Sequence, residues 1–315
     1  MESRFVERVV ILILKTMGTF YYYSPRRVQL FLGNLLGRTL FLIRLRKKIV
    51  DLNLETAFPG DRNFHKKLAR DFYKHLGNLA FEVLLVPKLG KSESRLKHFV
   101  KEVAVFEGVE NLHAAKQLGR GVIYLASHLG NWEIMAAIAG VFAHDDLMLV
   151  TKTLKPSWLH RAIESGRLDY DVKATYEPRT LKDVLSHLRK NGSVGFVLDQ
   201  YVGPPVGVRV PFFGKPVGTS LAVAMIAKRT GAPVLPVENF RRKDGRWIVK
   251  IHPPLPWKEH SDHHHELALN TAEYSQELEK HIRRHPEQWL WIHRRFKGSL
   301  LPLREGEWED PRPRQ

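Results

Sequence analysis

A histidine and a glutamate, His128 and Glu133, lie five residues apart in the segment SHLGNWE. On one continuous helix their side chains would diverge by about 140°, because a helix has about 3.6 residues per turn. A tight loop that leads into a helix would let both serve one site. An imidazole there can act as a general base toward a hydroxyl, because its unperturbed pKa lies near neutral pH.

Two further side chains are candidates for the same site. Asp199 ends the apolar run GFVLDQ and could orient the imidazole, as a carboxylate does in hydrolytic triads, or it could cap the next turn. Arg167, in SGRLDYDV, could pair with Glu133, face a phosphate or an oxyanion, or lie in solvent. We assign the orienting role to Asp199 and expect Glu133 to hold Arg167. A single loop histidine more often satisfies a backbone carbonyl, so the hypothesis that His128 is a base depends on Asp199.

Three short, continuously apolar runs predict the strands that carry these residues. They span 122–126, 147–151 and 194–198, and helical patterns separate them. Strands of this kind are typical of a parallel sheet that is buried on both faces. His128 and Asp199 would then emerge at the same sheet edge, at the carboxyl ends of their strands, where open α/β sheets place their sites.

The other elements complete an α/β fold with a mixed, mostly parallel sheet covered by helices on both faces. Asn131 is the expected N-cap of the helix after the loop, which puts Glu133 in its first turn. Apolar residues at helical spacing predict a helix from about residue 61 to residue 83. Two runs near the end flank Lys243-Asp244-Gly245 and predict an antiparallel hairpin, and a last helix is expected over 262–284.

The composition limits the class of protein. The chain has 315 residues, a formal net charge of +17 and no cysteine. These values exclude a disulfide scaffold, a thiol nucleophile and cysteine-ligated metal sites, and they indicate acidic partners such as anionic lipid, nucleic acid or an acidic protein. Because no run of 18 or more residues is free of charge, a polytopic membrane protein is also excluded.

The first 48 residues differ from the rest. Two apolar stretches, 9–23 and 28–43, are interrupted only by Lys15 and Arg38, and each is short for a membrane crossing. Basic residues follow them: Arg44, Arg46, Lys47 and Lys48. This pattern favours an interfacial membrane anchor over two buried core helices or a signal peptide. We therefore divide the chain into an anchoring segment (1–48), a catalytic domain (49–303) and a loose charged tail (304–315).

The motif His-x4-Glu in HLGNWE resembles that of glycerolipid-type acyltransferases. The chain is most similar to the lauroyl/myristoyl acyltransferases of bacterial lipid A biosynthesis, which use the glutamate form. Further segments match that family in order: NLETAFP (53–59), SGRL (165–168), LDQ (198–200), VPFFGKP (210–216) and PEQWLWIHRRFK (286–297). The ordered set is far more specific than the His-x4-Glu spacing alone, and it covers nearly the whole chain.

The resemblance implies transfer of a fatty acyl chain from acyl-carrier protein to a hydroxyl of a lipid A precursor, at the cytoplasmic face of the bacterial inner membrane. His128 would be the general base, Glu133 the acid of the motif, Asp199 the partner of His128, and Arg167 the arginine that follows the second strand. Direct attack by the acceptor needs a base and an oxyanion donor but no metal, cofactor or covalent nucleophile. Residues expected to contact substrate lie in or beside the matched segments: Asn131, Gln200, Phe212, Gly214, His293 and Arg294.

Alternatives remain open at this stage. The same chemistry could serve a glycerophosphate, an ornithine lipid or a glycolipid acceptor. A hydrolase using His128 and Asp199 is less favoured, because Ser127 lacks the G-x-S-x-G context. A nucleic-acid binder is suggested by charge alone, and no nucleic-acid partner is expected. The run of histidines at 263–265 is more typical of a solvated helix start than of a metal site.

Overall fold

The computed structural model of the chain describes residues 2–85, 104–142, 145–153, 155–168 and 171–299. The tail predicted at 304–315 lies outside these residues. Four helices precede the sheet: α1 (Glu2–Tyr23), α2 (Arg26–Leu42), α3 (Lys47–Ala57) and α4 (Arg62–Val83). The expected helix over 61–83 is thereby confirmed.

Nine described strands follow. They are β1 (Ala104–Glu107), β2 (Val122–Ala126), β3 (Leu147–Val150), β4 (Lys173–Thr175), β5 (Ser193–Val197), β6 (Gly207–Phe212), β7 (Lys215–Ser220), β8 (Val234–Arg241) and β9 (Trp247–Ile251). Seven of them form the central sheet in the order β1-β9-β8-β2-β5-β3-β4. All neighbours in this sheet are parallel except β8 and β9, so the mixed, mostly parallel sheet and its antiparallel hairpin are confirmed.

The remaining described helices lie between the strands or follow the last one. They are α5 (Val109–Gln117), α6 (Trp132–Phe142), α7 (Ser157–Leu168), α8 (Thr180–Arg189), α9 (Ala222–Thr230), α10 (His263–Arg284) and a 3-10 turn (Pro286–Gln288). The histidine run starts α10, where the Asp262 side chain accepts the His265 N–H at 2.6 Å and caps the helix.

Helices cover both faces of the sheet, as the alternation along β2 shows. Val122 and Tyr124 belong to an apolar cluster that includes side chains of α5 and α6. Ile123 and Leu125 point the other way, into a cluster formed with α8, α9 and α10. Because successive residues of a strand face opposite sides, these two clusters lie on opposite faces of the sheet.

The Gly and Pro residues of VPFFGKP predict a loop over the strand ends, but the segment does not form one. It spans the end of β6 and the start of β7, which pair antiparallel as a separate two-stranded sheet. The turn between them is made by Phe213 and Gly214, both in the left-handed backbone region, at φ 51° and 69°. A third apolar cluster lies beneath this hairpin and joins it to α3, α4 and the tryptophans that follow α10.

Glycines let α2 and α4 touch backbone to backbone. A Cβ added at Gly77 of α4 would lie 2.2 Å from the carbonyl oxygen of Gly33 of α2. One added at Gly37 would lie 2.3 Å from the carbonyl oxygen of Tyr73. No side chain fits at such distances, so the glycines fix how α2 sits on α4.

The opposite side of the first two helices is apolar and open. Large apolar side chains are exposed there: Leu12, Phe20, Phe31, Leu35, Leu42 and Ile43. Among the described residues no single helix is both long and apolar enough to span a bilayer. Of the helices that the structure describes, only α2 and α3 taken together reach that length and composition, and they are bent by 94°. The N-terminal helices therefore have one face in the protein and another left uncovered.

Candidate active site

The central contact of the site joins His128 to Asp199. Strands β2 and β5 are parallel neighbours with Ala126 opposite Val197, so the two residues leave the sheet side by side. His128 Nδ1 lies 2.7 Å from Asp199 Oδ1, and the backbone N–H of His128 donates to Oδ2 at 2.7 Å. A carboxylate can only accept, so we place the imidazole proton on Nδ1, which leaves Nε2 as the basic nitrogen.

Asp199 is held as a buried, ionised carboxylate. Burial acts to raise its pKa, but the charge of His128 and the hydrogen bonds from His128 and Trp289 outweigh burial and lower it to about 2. The indole N–H of Trp289 donates to Oδ2 at 2.6 Å. The carboxylate therefore stays charged at neutral pH, where it can stabilise an imidazolium.

The reactive nitrogen of His128 faces polar and aromatic neighbours. The side-chain amide of Gln200 lies 3.3 Å from Nε2. Trp132 packs edge-on at 4.8 Å between ring centroids, and the His293 ring lies at 5.3 Å. Burial, followed by the nearby charge of His128, lowers the pKa of His293, so this second ring is neutral at pH 7. The His128 side chain keeps 14% exposure, which leaves it reachable.

Glu133 pairs with Arg167 and does not orient His128. Arg167 Nη2 donates to Oε1 at 2.7 Å and Nε to Oε2 at 3.2 Å, a two-pronged contact. Each side chain is 11% exposed. Glu133 lies in the first turn of α6, as expected, and Arg167 in the last turn of α7. Both predicted contacts, Asp199 with His128 and Glu133 with Arg167, are thus present.

The residues expected to contact substrate lie in different surroundings. Gln200 and His293 lie beside His128, while Arg294 is exposed. Phe212 is buried among Phe213, Trp289 and Phe296, and Gly214 forms the β6–β7 turn with open space beside it. A substrate contact by Phe212 would need the hairpin to move, because its ring belongs to the core of the hairpin.

Asn131 is fully buried, and both polar atoms of its side-chain amide form hydrogen bonds within the protein. Oδ1 accepts the N–H of Ile134 at 3.1 Å, which confirms the predicted N-cap of α6. Nδ2 donates to Glu82 at 3.1 Å. These contacts give Asn131 a part in holding the loop, whereas its expected contact with substrate stays a prediction.

Three residues that support the active site were not predicted from the sequence. Trp289 is buried like a core residue, but its indole N–H also donates a hydrogen bond to Asp199. Arg295 is buried and donates to the backbone oxygens of Gln200 and Gly218 at 2.8 and 2.9 Å, which holds the chain just after Asp199. Asn53 of α3 donates to the backbone oxygen of His293 at 2.7 Å. The sequence feature that could have indicated a buried role for Arg295 is its position as a cation within a run of aromatic residues.

A comparison with protein-family models matches residues 2–298 to "Bacterial lipid A biosynthesis acyltransferase". The chain belongs to this family. It is therefore an acyltransferase of the lipid A biosynthesis type, which confirms the resemblance given by its motifs.

Named relatives agree at low identity. The chain is 28% identical over 278 residues to the lipid A biosynthesis palmitoleoyltransferase of Escherichia coli, covering 87% of this chain and 86% of the relative. It is 27% identical over 282 residues to the lauroyltransferase of the same organism, with 84% of each chain covered. It is 26% identical over 210 residues to the phosphatidylinositol mannoside acyltransferase of Mycobacterium tuberculosis, covering 64% and 63%.

A solved structure was also matched. It is the 1-acyl-sn-glycerophosphate acyltransferase PlsC from Thermotoga maritima, at a TM-score of 0.37 and 20% identity, covering 81% of this chain and 96% of that chain. These values add nothing to the fold assignment, which rests on the strand order and pairing.

The Glu133–Arg167 contact makes a testable pair. Glu133→Gln and Arg167→Met should each lower the free energy of unfolding by about 3 kcal/mol or more and impair turnover, because each leaves a mostly buried charge unpaired. The double variant should lose less than the sum, with a coupling of about 1–3 kcal/mol. Denaturant unfolding and kcat measure both effects.

The exposed pair Lys250–Glu107, with side chains 44% and 47% accessible, is the matched control. Its double-mutant cycle should give a coupling below about 1 kcal/mol, because solvent screens the pair. Simple additivity at Glu133 and Arg167 would contradict the pairing and leave Arg167 as a separate contact to substrate.

Proposed function

We propose that the protein transfers a fatty acyl chain from acyl-carrier protein to a hydroxyl of a lipid A precursor, with His128 as the general base. The observation that carries this proposal is the contact of 2.7 Å between His128 Nδ1 and the ionised Asp199, in a chain of the lipid A acyltransferase family. This contact leaves Nε2 unprotonated and directed away from the carboxylate.

The proposed reaction is a direct transfer. His128 Nε2 takes the proton of the acceptor hydroxyl while its oxygen attacks the carbonyl carbon of the thioester. The tetrahedral oxyanion collapses, the carbon–sulfur bond breaks, and the thiolate leaves with the proton returned by the imidazolium. Asp199 stabilises the transient imidazolium, as the ionised carboxylate of a hydrolytic triad does. No covalent enzyme intermediate is formed in this route.

Gln200 is the proposed polar contact for the reacting centre. Its amide is 3.3 Å from Nε2, so an acceptor hydroxyl that binds Nε2 must displace or share this donor. Arg295 holds the backbone of Gln200, which keeps the amide beside the base. A preorganised donor next to the attacking oxygen can stabilise charge that develops on the carbonyl oxygen.

The Glu133–Arg167 pair is proposed to support the site by tying two helices together. Glu133 starts α6, which follows directly from the His128 loop, and Arg167 ends α7. The two-pronged contact therefore fixes the start of α6 against a neighbouring element.

A membrane surface is the proposed location, at the cytoplasmic face of the bacterial inner membrane. The exposed apolar side chains of α1 and α2 would enter the headgroup boundary, as the apolar face of an interfacial helix does. Exposed cations follow α2 and begin α3: Arg44, Arg46, Lys47 and Lys48. Anionic lipids attract such a cluster.

The relatives favour one alternative acceptor. Some are named phosphatidylinositol mannoside acyltransferases, and the proposed chemistry needs only a hydroxyl that reaches Nε2. A glycolipid acceptor is thus the second candidate. The same assay, run with a lipid A precursor and with a mannosylated glycolipid and read by mass spectrometry, separates the two.

The base is tested by His128→Ala. Turnover should fall by about 10²–10⁴-fold, the contribution typical of a general base, while the protein still folds and its vesicle binding stays near that of the wild type. The thermal midpoint should fall, because the buried Asp199 carboxylate loses the His128 side chain as a hydrogen-bond donor. His113→Ala, at an exposed position of α5, is the matched control and should keep full activity. A folded His128→Ala protein with a tenth or more of the wild-type rate would exclude this role.

The recognition of acyl-carrier protein as the acyl donor is tested by changing the salt concentration. At sub-saturating donor, raising NaCl from about 0.05 M to about 0.5 M should lower kcat/KM for acyl-carrier protein, because screening weakens the attraction of an acidic carrier to a chain of net charge +17. The same acyl chain on coenzyme A should serve poorly. Equal use of both donors, with no effect of salt, would count against recognition of the carrier.

The proposed membrane-binding face of α2 is tested by introducing negative charge. Phe31→Glu with Leu35→Glu should weaken binding to anionic vesicles, measured by co-sedimentation, because both side chains are exposed on α2. Leu181→Glu with Met225→Glu adds the same charge at exposed apolar positions of α8 and α9 and is the control. Equal vesicle binding by the two double variants would reject α2 as the contact.

A further inference from the structure

A buried carboxylate behind the site has no part in the mechanism above. Glu82, in the last turn of α4, has no solvent exposure. It accepts hydrogen bonds from Arg26 at 3.1 Å, from Asn131 at 3.1 Å and from Arg241. Burial acts to raise its pKa, but the charges of Arg241 and Arg26 outweigh burial and lower it, so Glu82 is ionised.

The three donors come from distant parts of the chain. Arg26 is the first residue of α2, Arg241 is the last of β8, and Asn131 caps α6. Glu82 thus joins the N-terminal helices, the sheet and the His-x4-Glu loop at one point. A fully buried charge is costly unless it is paired and hydrogen-bonded, so this arrangement resists rearrangement.

Asn131 transmits the position of Glu82 to the loop. Its Nδ2 donates to Glu82 while its Oδ1 caps α6, so the amide cannot rotate without losing both bonds. Asn131 lies between His128 and Glu133 in the chain. The start of α6, and with it Glu133, is therefore tied to Glu82.

A second set of bonds reaches the same loop. The backbone N–H of Arg241 donates to Gln288 Oε1 at 2.7 Å, and the backbone oxygen of Gln288 accepts the Gly130 N–H at 3.0 Å. The Gly130 oxygen lies 3.2 Å from His75 Nε2, and burial lowers the pKa of His75 to about 4, so this ring is neutral and able to donate. The loop is thus held at Gly130 as well as at Asn131.

Arg26 brings the membrane-facing helices into this arrangement. Besides Glu82 it donates to the Gly245 oxygen at 3.1 Å and to Gln29 Oε1 at 2.9 Å. Gln29 in turn donates to the backbone oxygens of Tyr21 and Ser24, at the turn between α1 and α2. The seating of that turn and the position of Glu82 are therefore coupled.

We propose that Glu82 is a positioning residue for the catalytic loop, and that Arg26 couples the seating of α2 to the geometry at His128 through Glu82 and Asn131. The proposal rests on the proposed function only in taking His128 as the base. It predicts that a change at Arg26, on the N-terminal helices, alters turnover without contact to substrate.

The first test compares Arg26→Met with Arg27→Met in the full chain, assayed in neutral detergent so that lipid charge plays no part. Arg27 is the matched control, an exposed cation next in the chain. Arg26→Met should lower kcat by about tenfold with KM for the acyl donor within twofold, because the loop is loosened and not the donor site. Arg26→Lys should recover much of the loss, and Arg27→Met should match the wild type.

A second variant tests the coupling from Asn131, the residue that joins Glu82 to the loop. Asn131→Ser keeps a good helix cap but removes the amide that donates to Glu82. It should lower kcat in the same way, and the double variant Arg26→Met/Asn131→Ser should lose less than the product of the two factors, because both act through Glu82.

Amide hydrogen exchange gives a readout that does not depend on the substrate. The peptide covering 127–136 should exchange faster in Arg26→Met than in Arg27→Met, at unchanged exchange in β3. If Arg26→Met and Arg27→Met agree in kcat and in exchange, the coupling is wrong. If the loop loosens as expected but the wild type does not acylate a lipid A precursor, the proposed function fails and the positioning role stands.

Discussion

The structure of the site depends on one buried carboxylate at the edge of a parallel sheet. Asp199 receives donors from His128 and from Trp289, two segments that meet only because β2 and β5 are neighbours and the chain returns after α10. A charge in that position is tolerated because each oxygen is satisfied. The same bonds that satisfy it select the tautomer of His128, so the folding requirement and the chemical requirement coincide.

The sequence predicted the elements and contacts whose signals are local. Apolar runs located β2 and β5, and the rule for parallel strand ends placed His128 beside Asp199, as the structure confirms. The angle between His128 and Glu133 on a helix separated their roles and led to the pairing of Glu133 with Arg167. In each case spacing along the chain and strand direction were sufficient.

The features that could not be predicted from the sequence depend on contacts between distant segments. Glu82 looks like one more polar residue of an amphipathic helix, and only the approach of Arg26, Arg241 and Asn131 shows its environment. Phe212 was expected near substrate because it lies in the matched segment VPFFGKP, yet the pairing of β6 with β7 places its ring in the core. Periodicity reports burial, but it does not report which buried group meets which.

The glycine contact between α2 and α4 has a geometric consequence for a protein that works on a lipid. With backbones touching at Gly33, Gly37 and Gly77, α2 can neither roll nor slide on α4. α4 in turn packs against the aromatic segment that contacts Asp199. If α2 lies in the headgroup layer as proposed, the height of His128 above the bilayer is set by the protein alone. An acceptor must then lift its hydroxyl to that fixed height, so the length of its headgroup, and not only its chemistry, selects it.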